Sequence, residues 1–319
     1  MSKKVTLWTA AIAMMIAVAC SPKTSSGGGT EATIAYVTNG IDPFWDLCAA
    51  GVHQAEKEFG IKCEIHMPPK GLADQKSIME TLLAKGIKGM AVSPIDAENQ
   101  TPFLNDAARQ TVLITHDADA PKSDRLLYIG TDNYKAGRAL GQLVKAAIPD
   151  GGEVMIFVGR LEQLNARQRR QGVIDELLDR PHQALGQVKF DEVAKVFKGD
   201  KYTVLDTRTD NFVMDTAKSN AEDAITKHPK LACMVGLFAY NPPRCLQAIK
   251  DGHAYGTISQ QPWKYGYQSV RVLKALVDGD TSVIPENKFI DVGYKIVTKE
   301  NIDEFWAEKK KMAELGAQK

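Results

Sequence analysis

From Ala32 onward the chain alternates short, nearly continuous apolar runs with longer stretches whose apolar positions recur every three or four residues. The runs "ATIAYVT" (32–38), "IKCEIHM" (61–67), "KGMAVSP" (88–94), "TVLITHD" (111–117) and "LLYIGTD" (126–132) read as strands, too apolar for sheets with one face in water. Between them the helical period predicts helices over Pro43–Phe59, 73–86 and Glu98–Arg109. The rhythm then restarts. Strands are predicted at "EVMIFVG" (153–159), "YTVLDT" (202–207), "LACMVGL" (231–237), "AYGTISQ" (254–260) and "FIDVGYKIV" (289–297). Helices are predicted over Tyr134–Ala147, Asn165–Leu178, Phe212–Lys227, Pro243–Lys250 and Trp263–Val277, with one more at the C-terminus. Strands separated by helices indicate βαβ units, hence an α/β fold with parallel sheets.

In such folds a ligand sits beyond the carboxyl ends of the strands. Polar and aromatic residues collect in those loops: Asn39 to Trp45, His116 to Asp119, Arg160 to Arg169, Asp210 to Phe212, Phe238 to Asn241, and Gln260-Gln261. Asp42-Pro43 is a good helix opening, with a carboxylate to cap free N–H groups and proline at the first helical position. Phe44 falls on the helix's apolar stripe, where packing and ligand contact are equally served. Trp45, at the stripe's edge, is the better candidate for contact.

Before Ala32 the pattern differs. Lys3-Lys4 precedes the apolar run "VTLWTAAIAMMIAVA", which ends just before Cys20. This reads as a signal peptide over 1–20. Ala17-Val18-Ala19-Cys20 resembles a bacterial lipobox, which makes Cys20 the expected lipidation site and anchor to a membrane; alanine replaces the usual leucine, so ordinary signal cleavage is the alternative. "SPKTSSGGGT" then opens a flexible tether over 21–31.

Composition narrows the function. With 40 basic and 39 acidic residues in 319, there is no electrostatic case for nucleic acid. The tight basic run "ARQRR" (166–170) reads as a solvated helix face. Cys48, Cys63, Cys233 and Cys245 lack zinc-site spacing and read as small buried hydrophobes, although export would permit bridges Cys48–Cys63 and Cys233–Cys245. No phosphate-binding glycine loop, nucleophile elbow or HExxH pair appears, and "HDAD" (116–119) reads as a polar loop rather than a metal site. No enzyme, cofactor or metal is expected. Aromatic faces with Asp, Asn, Gln and Arg suit a neutral polyol.

Several motifs together carry a resemblance: "DPFW", "SPID", "ITHDADA", "YIGTDNYKAG", "NARQRRQG", "HPKLACMVGL" and "DGHAYGTISQQP". From about Thr33 to Val297 the chain resembles the periplasmic sugar-binding proteins of bacterial ABC importers, in the ribose-binding-like branch of the type I fold. The resemblance implies two Rossmann-like lobes with parallel sheets joined by three hinge crossovers, closing on one monosaccharide. The lobes would be 32–131 with 261–291 and 132–260 with 292–319, hinged near Thr131-Asp132, Gln260-Gln261 and Asp291-Val292. It implies sugar contacts from Asp42, Phe44, Trp45, Asp117, Asn165, Arg169, Phe212, Phe238, Asn241 and Gln260. Ala118 stands where ribose binders have arginine, and Asp119 is placed to compensate. Implied partners are the monosaccharide and the subunits of an ABC permease, for a monomer working in the periplasm. A chemoreceptor or histidine kinase reading the closed form is the alternative.

One departure stands out. "CLQAIKDGHAYG" (245–256) is continuous where the family normally adds about two dozen residues, roughly one strand and one helix of a βαβ unit. The missing strand would carry a sugar-binding aspartate. Without it the second lobe must either close its sheet, the surviving helix joining "LACMVGL" to "AYGTISQ" as a short crossover, or expose edge groups and apolar surface.

Overall fold

The computed structural model describes residues 33–184, 186–238 and 242–317, without the side chains of 242–244 and 315–317. The leader, the tether and Cys20 lie outside the described residues, as does Asn241. No helix among the described residues is long and apolar enough to cross a membrane.

The first lobe begins with β1 (Ile34–Val37), α1 (Pro43–Phe59), β2 (Cys63–His66), α2 (Leu72–Ala84), β3 (Gly89–Val92), α3 (Ala97–Ala108), β4 (Val112–His116) and β5 (Tyr128–Gly130). The chain then enters the second lobe. There it forms α4 (Asn133–Ala147), β6 (Gly152–Val158), α5 (Leu164–Leu177), the short β7 (Phe197–Lys198), β8 (Tyr202–Thr209), α6 (Met214–Lys227), β9 (Leu231–Gly236) and α7 (Pro242–Lys250). After β10 (Gly256–Gln260), α8 (Pro262–Val277) and β11 (Phe289–Asp291) return to the first lobe. The chain closes with β12 (Tyr294–Thr298) and α9 (Ile302–Ala317).

The first sheet has the order β11-β5-β4-β3-β1-β2, with every described pairing parallel. Helices cover both faces. Tyr36, Trp45, Cys48, Val52, Tyr265 and Leu273 pack in one core, and Val37, Met79, Leu82, Met90 and Leu104 in another. This is why its strands are apolar on both sides.

Two helix pairs approach closely enough to need glycine. A Cβ at Gly51 of α1 would lie 2.0 Å from the Trp263 carbonyl oxygen, and one at Gly266 of α8 1.9 Å from that of Cys48. In the second lobe Gly137 of α4 and Gly172 of α5 are locked in the same way. Gly51→Ala should therefore lower stability by roughly 1–3 kcal/mol even though alanine favours helix, read as a lower urea midpoint.

The second sheet has the order β7-β8-β6-β9. β6, β8 and β9 run parallel, while β7, which the sequence pattern does not announce, pairs antiparallel to β8. β10 does not join this sheet; it pairs antiparallel with β12 as a separate ribbon. The strand predicted at 289–297 is thus two, split at Gly293, whose φ of 74° suits glycine. The continuous segment 245–256 supplies α7 and the turn into β10, with no strand between β9 and β10 among the described residues. β9 is consequently the sheet's edge. Ala232, Met234 and Gly236 face water, and Ala224 is the sole buried residue of α6.

The basic run is not a solvated face. Arg169 and Arg170 are buried. The Arg170 Nε donates to Thr207 Oγ1 at 2.8 Å, and its Nη groups donate to the Asp191 and Glu192 carbonyls at 3.0 and 2.8 Å, fastening the loop that precedes β7. Arg167 lies over the Phe190 ring. The four described cysteines are free thiols, with Cys48 and Cys63 buried.

Candidate functional site

Chain crossings between the lobes fall after β5, around β10, and between β11 and β12. They are stapled together. Thr131 Oγ1 lies 2.7 Å from the Tyr265 hydroxyl and donates to the Gly293 carbonyl at 3.1 Å, and the Asp132 N–H reaches Asp291 Oδ1. Tyr265 accepts from Gln260 Nε2 at 2.9 Å. Tyr265 lies within an ordinary helical period and nothing in the sequence marks it, yet it ties the second crossing to the first.

A cavity of about 470 Å³ opens between the loops of the two lobes. At its inner end, Asp117 Oδ1 accepts from Gln260 Nε2 at 3.2 Å, and Oδ2 from Ser93 Oγ at 3.5 Å. Asp117 adopts φ 57°, a left-handed conformation that is uncommon outside glycine and that asparagine and aspartate tolerate best. Burial pushes its carboxyl up to about 6, against the opposing pull of Gln260, Arg169 and Ser93. Preceding it, His116 turns into the core, stacks on Tyr36 and lies 3.1 Å from the Val37 carbonyl through Nε2. Burial lowers it to about 3, so it is neutral at physiological pH. Asp119 does not compensate for Ala118: it is held by Arg125 in a two-point pair and by Thr115 Oγ1. "HDAD" therefore sends its side chains to three different places.

On the first lobe's wall, Asp42 caps α1, with Oδ1 accepting from the Phe44 N–H at 2.8 Å, as the Asp-Pro pair predicts. Both aromatics line the cavity, with Phe44 rather than Trp45 the more open to it. Trp45, 3% exposed, belongs to the core and touches the cavity only in part, whereas half-buried Phe44 stands in front of it, edge to face at 4.9 Å.

Opposite, Asn165 and Phe238 line the cavity. Arg169 does not. It is 1% exposed and lies behind Phe238, its guanidinium 4.0 Å from that ring's centre, donating to the Leu237 carbonyl at 2.9 Å and to Asn133 Oδ1 at 2.7 Å. Phe212 is 48% exposed and projects from a strained turn. Asn211 and Phe212 both have positive φ, and Asp210 Oδ1 accepts from the Phe212 N–H at 2.8 Å. Positive φ at a bulky residue is costly and persists where surroundings enforce it, commonly at ligand sites. Arg160, Gln163 and Asp210 also line the cavity. They lie in the loops singled out from sequence, but nothing in composition ranks them above their neighbours.

The residues from Thr33 to Asn241 match the family of periplasmic binding protein domains. The chain belongs to the periplasmic binding protein family. Membership makes it a non-enzymatic binding protein with an extracytoplasmic place of work. It is similar to the ribose import binding protein of Haemophilus influenzae, 24% identical over 290 residues, covering 87% of this chain and 94% of that one. It is also similar to the xylose/arabinose-binding protein of Sulfolobus acidocaldarius, 24% identical over 252 residues, covering 71% and 60%. Among solved structures, a solute-binding protein of Burkholderia graminis in complex with D-arabinose matches with a TM-score of 0.73 at 24% identity, covering 85% of this chain and 96% of that one. A XylFII–LytSN complex matches with a TM-score of 0.70 at 17% identity, covering 85% and 99%. This binding protein thus shares its fold with receptors that differ from it at most positions.

Proposed function

We propose that this binding protein captures a monosaccharide, a pentose or hexose, between its lobes and delivers it to the permease of an ABC importer. The observation that carries the reading is the Asp117–Gln260 pair, placed where loops of both lobes and a hinge strand converge, with Phe44, Phe212 and Phe238 around it. A sugar needs just this mixture: aromatic faces for its C–H surface and charged or amide groups for its hydroxyls. Asp42, Asn165, Asn39 and Gln163 would supply further partners, and Trp45 and Arg169 would back Phe44 and Phe238 rather than meet the sugar directly. The sugars named for the relatives, ribose, xylose and arabinose, fix the class to test first.

In this reading the lobes are 32–131 with 261–291 and 132–260 with 292–319, moving about Thr131-Asp132, Gln260-Gln261 and Asp291-Val292 as the cleft closes. A signal over 1–20 exports the monomer, and a lipid on Cys20 holds it to the membrane through the 21–31 tether. Isothermal titration against a panel of pentoses and hexoses tests the function. At a hundredfold excess over Kd, a bound sugar should add about 2.7 kcal/mol to stability. Absence of binding across the panel would reject the reading.

A sensory role is the second reading, in which the closed form is presented to a chemoreceptor or histidine kinase. It is favoured by the similarity to XylFII in its complex with LytSN, a binding-protein fold engaged by a second protein. Sugar-dependent pull-down of a sensor rather than a permease separates the two.

A further inference from the structure

The strand order sets which loops share each end of the cleft. Along the first sheet from β4 to β2, the loops at the strand ends carry Asp117, then Ile95, then Asn39 to Trp45, then Gly71. Along the second, from β9 through β6 to β8, they carry Phe238, then Arg160 to Asn165, then Asp210 to Met214. Asp117, Gln260 and Phe238 therefore share the inner end, beside the hinge. The outer end brings Ile41 of one lobe and Val213 and Met214 of the other to the same cavity.

These side chains are not core. Ile41 is 69% exposed and Met214 64%, and with Val213 and Phe212 they are among the most exposed large apolar residues described in the molecule. Isolated exposed aliphatics need no explanation, but apolar residues from two lobes lining one cavity do. Around its ring edge an unsubstituted sugar carries hydroxyls, and an aliphatic outer wall facing that edge would strip water from them without replacing its hydrogen bonds.

We propose that the outer half of the cleft is a subsite for an apolar substituent carried on the sugar: a deoxy methyl, or an alkyl or aryl group. The inference rests on the monosaccharide reading and specifies its ligand. The ring is held at the inner end by Asp117, Gln260 and the aromatics. The substituent lies between Ile41 and the Val213-Met214 turn, where Phe212 flanks both parts.

Titration calorimetry with matched probes tests it: D-glucose, D-galactose, D-xylose and L-arabinose, each against its methyl and phenyl glycosides, and the two hexoses also against their 6-deoxy forms. A well-shaped apolar pocket discriminates by roughly tenfold per methyl group. For the ring configuration that binds, the substituted probe is expected to bind at least about tenfold more tightly than its parent. The double variant Ile41→Asn, Met214→Gln should bring that ratio to within about twofold of one. Both residues are mostly exposed, so the variant keeps its fold, which circular dichroism verifies. A wild-type ratio of one or below would overturn the subsite. So would a ratio unchanged in the variant, which would mean that the two apolar lips meet only each other on closure. Failure of every probe, substituted or not, would reject the sugar reading itself and this inference with it.

Discussion

Asp117→Asn should make the empty protein more stable at neutral pH and a poorer receptor. Burial holds the Asp117 carboxyl near 6, against 3.8 for the unperturbed group. Below 3.8 the group is neutral in both the folded and unfolded chain, and burial of charge costs nothing. Between 3.8 and about 6 the unfolded chain ionises while the folded one still holds its proton, so stability falls as pH rises. Above that window the full penalty, up to about 3 kcal/mol, is present. Asparagine carries no such charge, keeps an oxygen for Gln260 or Ser93 and tolerates the left-handed backbone. Urea titrations at pH 4, 5, 6 and 7.5 should show the variant's advantage growing with pH and vanishing near pH 4. Parallel curves would show that Asp117 does not titrate in this window. Binding should move the other way. The ionised carboxylate is the stronger acceptor for hydroxyls, and its loss should cost about 1.5–3 kcal/mol, or 10- to 100-fold in Kd. Wild-type affinity should weaken as pH falls through about 6, and that of the variant should stay flat.

On the proposed reading a buried charge is kept at the ligand site at a cost in stability, and the residues that meet there differ in how far the sequence reveals them. The βαβ rhythm is legible because burial on both faces demands apolar strands, and the Asp42 cap because its chemistry is local. The convergence of Asp117 with Gln260 crosses 143 residues of chain, and was reached from the sequence only through resemblance. Local pattern fails where tertiary context decides. Arg169 and Arg170 look solvated by composition, yet they are buried because backbone carbonyls, Asn133 and Thr207 wait for them. Gly293 divides an apolar run that pattern alone reads as one strand. The shortened segment after β9 is visible as a missing phrase, and an exposed edge is one of the outcomes it predicts; that β10 stands outside the second sheet, paired with β12, is not.

Arg169 offers the largest single loss. Its side chain joins the first crossing, through Asn133, to the end of β9, through Leu237, and it backs Phe238. Asn133 in turn donates to the Thr131 carbonyl, so the guanidinium also steadies a hinge. Arg169→Leu removes two charge-assisted hydrogen bonds, each worth about 1.5–3 kcal/mol, in a site that water does not reach. We expect a loss of about 3–5 kcal/mol by urea unfolding, a large part of the 5–15 kcal/mol that holds a typical domain together. Charge and geometry can be separated. Arg169 opposes the rise of the Asp117 carboxyl, so the leucine variant should shift the pH midpoint of sugar binding upward from about 6. Arg169→Lys keeps the positive charge but has no planar fork to reach Asn133 and Leu237 together. It should return the midpoint toward the wild-type value while recovering little of the lost stability. If lysine restored the stability and left the midpoint displaced, the guanidinium's bridging geometry would not be what the lobe depends on.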